Sequence, residues 1–332
     1  MKAAAKLTRR PLGRTGILVS EIGFGGWGIG KSMWGRTDDT DSLAALRSAL
    51  KSGINYFDTA AVYGHGHSER LIAQVIREAR ADAVIGTKVP PKNMEWPAHS
   101  STRLGHAFPA DWVLTRTERS LHNLRADCVD LLMFHVWTDK WLKDALWEDT
   151  LAAFVRLKEQ GKIRAIGISI NSDDPDSALQ VVETGNIDMV QVILNLFDQR
   201  AVKRLFPLCR KHNVGIVVRC PFDEGGLTGT LTPDTRFEPE DFRSYYFGQG
   251  RLAETCQRAE VLKKLLVGKH AETMAQAALK FCLSFPEVSS VIPGMRLASH
   301  VEENIRAANN RYFDPALLEE LARHAWVRDF YR

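Results

Sequence analysis

A carboxylate and a phenol stand five residues apart in one short stretch of the sequence, residues 53–70, GINYFDTAAVYGHGHSER. Its first part predicts a β-strand that ends at Asp58, because strand-forming residues follow a glycine. A loop with two glycines then carries Tyr63, and a helix is expected to begin at Ser68. A tyrosine titrates at about pH 10, so Tyr63 is a useful acid at neutral pH only when a cation lies close to it.

That cation and a second polar group are expected at the ends of the two strands that follow. Lys88 ends one predicted strand and His135 ends the next. Lys88 would supply the positive charge, Asp58 would hold its ammonium group, and His135 would orient a carbonyl or share the phenol proton. Each residue alone is more often a cap, a packing residue or a surface group, but all four would lie on one face. Together they predict a proton donor to a carbonyl oxygen that becomes an alkoxide, as reduction by hydride requires.

The elements that would position these residues alternate between strands and helices. Eight β-strands are predicted, near residues 22–24, 55–58, 83–88, 129–134, 165–169, 189–192, 215–219 and 288–292. Helical patterns separate most of them, which predicts an α/β fold of the (β/α)8 TIM barrel type with active-site groups at the C-terminal strand ends. A β-hairpin at about residues 10–20 would precede the barrel, and long loops are expected at 89–110 and 220–250.

No composition break or linker divides the chain, so residues 1–332 are expected to form a single domain. An open doubly wound sheet is the alternative, and it would need a phosphate-binding glycine turn that opens a helix. Gly23, Gly25 and Gly28 formally match the GxGxxG motif, but loop residues follow Gly28 where that motif requires a helix. We interpret these glycines as a strand end beside Trp27, where a ligand approaches the backbone closely.

The composition is that of an ordinary globular protein, with 45% apolar and 25% charged residues in a chain of 332. A formal charge of +4 and the absence of arginine-rich tracts give no indication of nucleic-acid binding. No apolar run is long enough to span a membrane, and no signal peptide is visible. The five cysteines are scattered without a CxxC motif, which favours a reducing, cytoplasmic location.

Four histidines, His65, His67, His99 and His106, raise the question of a metal site. No carboxylate or cysteine stands near them at the spacing of metal ligands, so no metal is expected. Solvated loop positions explain these histidines better.

Specific motifs run nearly from end to end of the chain: LGRTGILVSEIGFGGW, GINYFDTAAVYGHGHSE, IGTK, VDLLMFH, GKIRAIGIS, MVQVILN, EGGLTG, and VIPGMR followed by EEN. With them the chain resembles the aldo-keto reductase family. The resemblance implies a (β/α)8 barrel that binds NADP(H), or NAD(H), in an extended pose without a Rossmann fold. It also implies Tyr63 as proton donor, completed by Lys88, Asp58 and His135.

The same resemblance implies a set of cofactor contacts. Ser169 and Gln191 would hold the nicotinamide carboxamide, and the loop around Leu227 and Gly229 would fold over the pyrophosphate. Arg296 would meet the 2′-phosphate, as a guanidinium fork suits. The remaining implied contacts are Gly26, Trp27, Arg219, Gly294, His300, Glu303 and Asn304. An alternative interpretation of Glu302 and Glu303 is structural: they would be acidic residues in the first turn of a helix, where negative charge is favoured.

Four positions depart from the pattern of the family. Ile170 stands where many members have asparagine, and Arg219 where many have an aromatic residue that stacks on the nicotinamide. Thr230 replaces a common lysine and His300 a common glutamine. These changes leave the reaction class intact, but they leave the choice between NADP(H) and NAD(H) open.

The expected function is reversible reduction of an aldehyde or ketone to the alcohol by an NADP-dependent enzyme. Its partner would be a small carbonyl or alcohol substrate, with no nucleic acid and no membrane, and no oligomeric state is predicted. A non-catalytic NADP-binding regulatory or sensor protein on the same barrel is the alternative. A barrel isomerase or lyase is a further one, although it leaves the PGMR and EEN motifs unexplained.

Overall fold

The computed structural model describes residues 7–31, 33–35, 37–95, 101–171 and 174–327. Near the N-terminus, β1 (Arg9–Pro11) pairs antiparallel with β2 (Leu18–Ser20), which confirms the predicted hairpin. The turn of the hairpin packs Leu12 against Gly215, which begins a later strand. A Cβ on Gly215 would lie only 2.7 Å from the Leu12 side chain. The hairpin therefore covers the end of the barrel where the strands begin.

In the described part of the chain, eight parallel strands form the barrel: β3 (Phe24–Gly25), β4 (Tyr56–Asp58), β5 (Val84–Val89), β6 (Val129–Trp137), β7 (Ile163–Ile170), β8 (Met189–Ile193), β9 (Gly215–Arg219) and β10 (Val288–Val291). Each strand pairs with the next in chain order. The backbone N–H of Gly23 donates to Val291 O at 2.8 Å, and that of Gly25 to Pro293 O at 3.0 Å. These bonds join the first strand to the last, so the predicted closed barrel is confirmed and the open sheet is wrong.

Helices surround the strands: α1 (Asp39–Lys51), α2 (His67–Ala79), α3 (Leu104–Ala107), α4 (Ala110–Leu124), α5 (Trp147–Glu159), α6 (Leu179–Thr184), α7 (Leu205–His212), α8 (Phe242–Tyr246), α9 (Arg251–Leu266), α10 (Met274–Leu283), α11 (Ala298–Ile305) and α12 (Pro315–Ala322). Four of these twelve begin at a residue whose side chain caps the helix: Asp38, Asp241, Thr273 and Asp314. The Asp38 side chain, for example, accepts from Thr40 N at 2.6 Å at the start of α1. No helix in these ranges is long and apolar enough to cross a bilayer.

Apolar side chains occupy both sides of the strands. Tyr56, Leu131 and Met133 lie with hairpin residues Leu12 and Val19 in the group that fills the barrel interior. A larger group packs between the strands and the helices. Because both faces are buried, the strands are almost continuous apolar runs. Polar side chains at the C-terminal strand ends are therefore exceptions to the pattern.

Several local expectations differ from the structure. Helix α2 begins at His67, and Ser68 is not its cap; the Ser68 hydroxyl instead donates to Gly26 O at 2.9 Å. Glu302 and Glu303 lie well inside α11, which begins at Ala298, so placing them in a first helical turn was wrong. The two long loops contain the short helices α3 and α8. Trp96 and His99 of the first loop fall outside the described residues.

Candidate active site

The C-terminal strand ends surround a cleft of about 520 Å³. Among the residues that line it, twelve are predicted site residues: Gly26, Trp27, Asp58, Tyr63, His135, Gln191, Arg219, Gly294, Arg296, His300, Glu303 and Asn304. Residues from most of the barrel strands thus reach one space, because parallel strands present their C-terminal ends to the same side.

A buried ion pair lies beneath this cleft. Lys88 is 1% exposed, and its Nζ donates to Asp58 Oδ1 at 2.5 Å and to Thr59 O at 2.7 Å. The other Asp58 oxygen accepts from Gln191 Nε2 at 2.6 Å. Burial lowers the pKa of Lys88, while the charge of Asp58 acts against that shift. The lysine is thus held in place by a carboxylate whose two oxygens are both engaged.

Tyr63 reaches the cleft from the loop between β4 and α2. Gly64 makes the turn possible: its φ is 61°, and a Cβ there would lie 1.8 Å from Gly30 O. Lys88 Nζ is 5.1 Å from the centre of the Tyr63 ring. The Tyr63 hydroxyl has no hydrogen-bond partner in the described part of the chain. It is therefore available to a ligand in the cleft.

The protonation of the phenol and the neighbouring imidazole follows from burial. Burial raises the pKa of Tyr63 well above its ordinary value, and the charge of Asp58 adds to that shift. Burial lowers the pKa of His135 well below its ordinary value, reinforced by the charges of Lys88 and Arg219. The two rings are nearly perpendicular with centres 5.9 Å apart. At neutral pH a protonated phenol thus faces a neutral imidazole, and both can hydrogen-bond a carbonyl oxygen.

The glycine-rich strand end has a different role from the one the GxGxxG pattern suggests. Gly28 lies in a 3-10 turn of three residues, Trp27–Ile29, and no α-helix opens there, so rejecting a dinucleotide fingerprint is confirmed. A Cβ on Gly26 would lie 2.7 Å from Asp58 O, so this glycine allows β3 and β4 to approach. The Trp27 ring stacks near Tyr63, with centres 6.2 Å apart.

The far end of the cleft is built by α11 and the segment before it. Asn304 is 3% exposed, and its Nδ2 has no hydrogen-bond partner among the described residues. A Cβ on Gly294 would meet no atom within 4 Å and would fill cleft space instead. A buried amide donor without an acceptor suits a polar ligand, and the bare backbone leaves room for it. These residues fit an extended nicotinamide dinucleotide.

Four predicted site residues do not line the cleft. Lys88 and Ser169 are 1% exposed, Leu227 is fully buried, and Gly229 is exposed outside the cleft lining. Ser169 is the register partner of both His135 and Gln191, so it sits between two residues that line the cleft. The cofactor roles of Ser169, Leu227 and Gly229 and the catalytic role of Lys88 stay predictions. Among the described residues, no group of three or more histidine, cysteine or acidic side chains could hold a metal ion.

Other residues that line the cleft were missed by reasoning from the sequence, chiefly Trp34, Cys220, Phe222, Glu224, Arg243 and Thr273. Four of them lie on the second long loop, 220–250, where no periodic pattern indicates which side chains point inward. The sequence did contain an indication that Glu224 belongs to the site, because it is an acidic residue within a glycine-rich loop that is expected to contact phosphate. Burial raises its pKa to about 7.

Known proteins match this chain along nearly its whole length. The sequence model of the Aldo/keto reductase family covers residues 21–325. Aldo-keto reductase YhdN of Bacillus subtilis is 30% identical over 87% of this chain and 85% of its own. The NADH-specific methylglyoxal reductase of Escherichia coli is 28% identical over 94% of this chain and 97% of its own. The glycerol dehydrogenase AKR11B4 from Gluconobacter oxydans is similar in structure, with a TM-score of 0.77, 26% identity and 98% coverage of each chain.

Proposed function

The chain belongs to the aldo/keto reductase family, and from this premise we propose that it reduces an aldehyde or ketone to the alcohol with Tyr63 as proton donor. The observation that carries the proposal is the setting of Tyr63. Its hydroxyl is available at the cleft, a neutral His135 faces it, and a buried ammonium lies beneath its ring. This combination suits transfer of one proton to a carbonyl oxygen.

Each polar group has one task in this reaction. Tyr63 gives its proton to the carbonyl oxygen, and His135 donates a hydrogen bond to the same oxygen and orients it. Lys88 places positive charge near the phenol, and Asp58 keeps the lysine charged and fixed. When bound, NAD(P)H supplies the hydride, from C4 of its nicotinamide to the carbonyl carbon. In the reverse direction Tyr63 takes up the hydroxyl proton.

We propose NADP(H) as the preferred cofactor. The Arg296 side chain lines the cleft, and its Nη1 donates to Trp34 O at 2.9 Å, so its guanidinium is fixed in orientation. Glu303, which would repel a 2′-phosphate, is engaged by Thr273 Oγ1 at 2.5 Å and by Gln276 Nε2 at 3.3 Å. One charge-assisted hydrogen bond would make binding of NADPH about tenfold tighter than binding of NADH.

The experiment is a fluorescence titration with NADPH and NADH, followed by turnover of glyceraldehyde, methylglyoxal, 4-nitrobenzaldehyde and cyclohexanone. Loss of NADPH absorbance with at least one of them is the expected result. Binding of NADPH without turnover of any carbonyl would instead favour a sensor. Conversion without a change in nicotinamide absorbance would point to an isomerase or lyase. Equal affinity for the two cofactors would refute the NADP(H) preference alone.

A further inference from the structure

The loop that follows β9 holds three residues other than glycine in the left-handed backbone region. Their φ values are 51° for Cys220, 48° for Asp223 and 56° for Glu224. Such conformations persist only where surrounding contacts hold them, and they concentrate at functional sites. One such contact is the Tyr246 hydroxyl, which donates to Asp223 Oδ1 at 2.6 Å. The loop is therefore held in an unfavourable shape that aims specific side chains.

Those side chains form a hydrogen-bonded chain along the cleft wall. Arg219 Nη1 donates to Cys220 Sγ at 3.4 Å, and the Cys220 thiol donates to Glu224 Oε1 at 3.3 Å. Arg219 Nη2 donates to Ile170 O at 3.2 Å, which fixes the other side of the guanidinium. Arg219, Cys220 and Glu224 all line the cleft that Tyr63 lines. A cation and an acid thus stand in fixed order on the wall of the cleft that the phenol also lines.

The charge of Lys88 is less effective at Tyr63 than its position suggests. Its ammonium pairs with Asp58 at 2.5 Å, and the two side chains are 0% and 3% exposed. An ion pair this close acts at a distance as a dipole, so much of its field cancels. Consistent with this, Asp58 raises the pKa of Tyr63, second only to burial, whereas Arg219 lowers the pKa and Glu224 raises it.

We propose that Arg219 is a second cation, in addition to Lys88, that stabilises the Tyr63 phenolate during turnover, and that Glu224, linked to it through the Cys220 thiol, offsets the charge of Arg219. The inference rests on the proposed role of Tyr63 as proton donor. In reduction the Tyr63 O–H bond breaks, its proton passes to the carbonyl oxygen, and a phenolate remains until solvent reprotonates it. In alcohol oxidation the phenolate must exist first, because it takes the hydroxyl proton while the hydride leaves for the oxidised nicotinamide.

Several charged or titratable groups influence Tyr63 and Glu224, and the test must keep them unchanged. Around Tyr63 they are Tyr56 and Asp58 on β4, Lys88 on β5, His135 on β6, and Arg219, Cys220 and Glu224 on β9 and its loop. Around Glu224 they are Cys220, Asp223, Arg219 and Arg243. Variants at the two ends of the chain, Arg219→Met and Glu224→Gln, remove opposite charges, each at the cost of one hydrogen bond to Cys220, and leave the other charged groups in the sequence.

The experiment measures the rate of alcohol oxidation against pH at saturating oxidised cofactor. The probe is the alcohol that corresponds to the fastest carbonyl compound above, 4-nitrobenzyl alcohol in the case of 4-nitrobenzaldehyde. Arg219→Met should displace the rise in rate by about one unit to higher pH and lower the rate at pH 8 about tenfold. Glu224→Gln should displace it to lower pH. The rate of Glu224→Gln should therefore exceed that of the native protein near pH 8. This difference in rate should vanish below about pH 6, because the native Glu224, whose pKa is about 7, is then itself protonated.

Three controls keep the outcome decisive. Arg204→Met removes a surface arginine, 66% exposed and paired with Asp176, and should leave the profile in place. Arg219→Lys keeps the charge and should retain most of the native profile. Arg219→Gln, which also removes the charge, replaces Arg219→Met if that variant does not fold. Cofactor affinity is measured by fluorescence for every variant, which separates binding from proton transfer.

A second readout needs no turnover. The ultraviolet absorbance of tyrosinate, taken for each protein minus the same protein with Tyr63→Phe added, should appear at higher pH in Arg219→Met and at lower pH in Glu224→Gln. Displacement of both variants in the same direction, or of neither with cofactor affinity retained, would overturn the inference. Failure of the native protein to turn over any carbonyl would instead overturn the proposed function.

Discussion

The two ends of the barrel carry the same three kinds of side chain in similar geometry. At the C-terminal end Lys88 Nζ lies 5.1 Å from the centre of the Tyr63 ring and 2.5 Å from Asp58. At the opposite end the Arg10 guanidinium carbon lies 5.3 Å from the centre of the Tyr312 ring, and Arg10 Nη2 is 2.9 Å from Glu21. A tyrosine, a cation and a carboxylate therefore do not by themselves define an active site.

The difference lies in where each hydroxyl points. The Tyr312 hydroxyl donates to Glu21 Oε2 at 2.6 Å, and Arg10 also donates to Val288 O at 3.0 Å. Burial and the charge of Glu21 raise the pKa of Tyr312, and this network ties the hairpin to β10. At the other end Gln191 and Lys88 engage Asp58, which leaves the Tyr63 hydroxyl to the cleft. The Tyr312 hydroxyl is used in a structural hydrogen bond, whereas the Tyr63 hydroxyl stays open to a ligand in the cleft.

Exchange of each tyrosine for phenylalanine is expected to separate the two ends most strongly. Tyr63→Phe should lower kcat for carbonyl reduction by about 10³-fold, the scale of general acid catalysis, with little change in NADPH affinity. Tyr312→Phe should leave kcat in place and lower the free energy of unfolding by about 2 kcal/mol, because it removes a bond to a carboxylate. Steady-state kinetics and urea unfolding of both variants give the answer. A Tyr63→Phe enzyme with the native rate would contradict the mechanism.

Removal of each cation should give the next largest contrast. Lys88→Met leaves the buried Asp58 without its counter-ion, so we expect a loss of about 3 kcal/mol in unfolding free energy together with a large loss of kcat. Arg10→Met should destabilise the protein by a similar amount while the folded fraction keeps the native kcat. Activity normalised to folded protein, judged by circular dichroism, distinguishes the two. A comparable loss of kcat in Arg10→Met would mean that the hairpin end also supports catalysis.

The smallest expected effect is a pH dependence of stability confined to the cleft end. Because the pKa of His135 is depressed in the folded state, this residue binds a proton more readily in the unfolded chain, and its contribution is a loss of stability as pH drops below about 6.5. His135→Gln should remove about 2 kcal/mol of that loss between pH 6.5 and 5. Tyr312→Phe, at the opposite end, should keep the same slope, because the raised pKa of Tyr312 keeps it protonated throughout this range. Urea unfolding at several pH values measures how the free energy of unfolding depends on pH. An unchanged slope in His135→Gln would show that another group causes this dependence.

Much of the fold and of the candidate site followed from short-range patterns. Apolar runs of strand length alternating with helical periodicity predicted the order of the barrel elements, and the end of each run placed Asp58, Lys88 and His135. Parallel strands bring their C-terminal ends together whatever lies between them, so these residues were expected on one side. The absence of a helix after Gly28 likewise excluded a dinucleotide fingerprint from local sequence alone.

Tertiary structure decided which groups each polar atom meets. Asp58 binds Gln191 133 positions away, and Tyr312 binds Glu21 291 positions away, contacts that no local pattern encodes. The link from Arg219 through Cys220 to Glu224 is close in sequence, yet it depends on left-handed backbone that only the packed loop imposes. The physical reason is that strand and helix periodicity is set by neighbouring residues. Burial, charge and hydrogen-bond partners depend instead on distant segments brought together when the barrel closes.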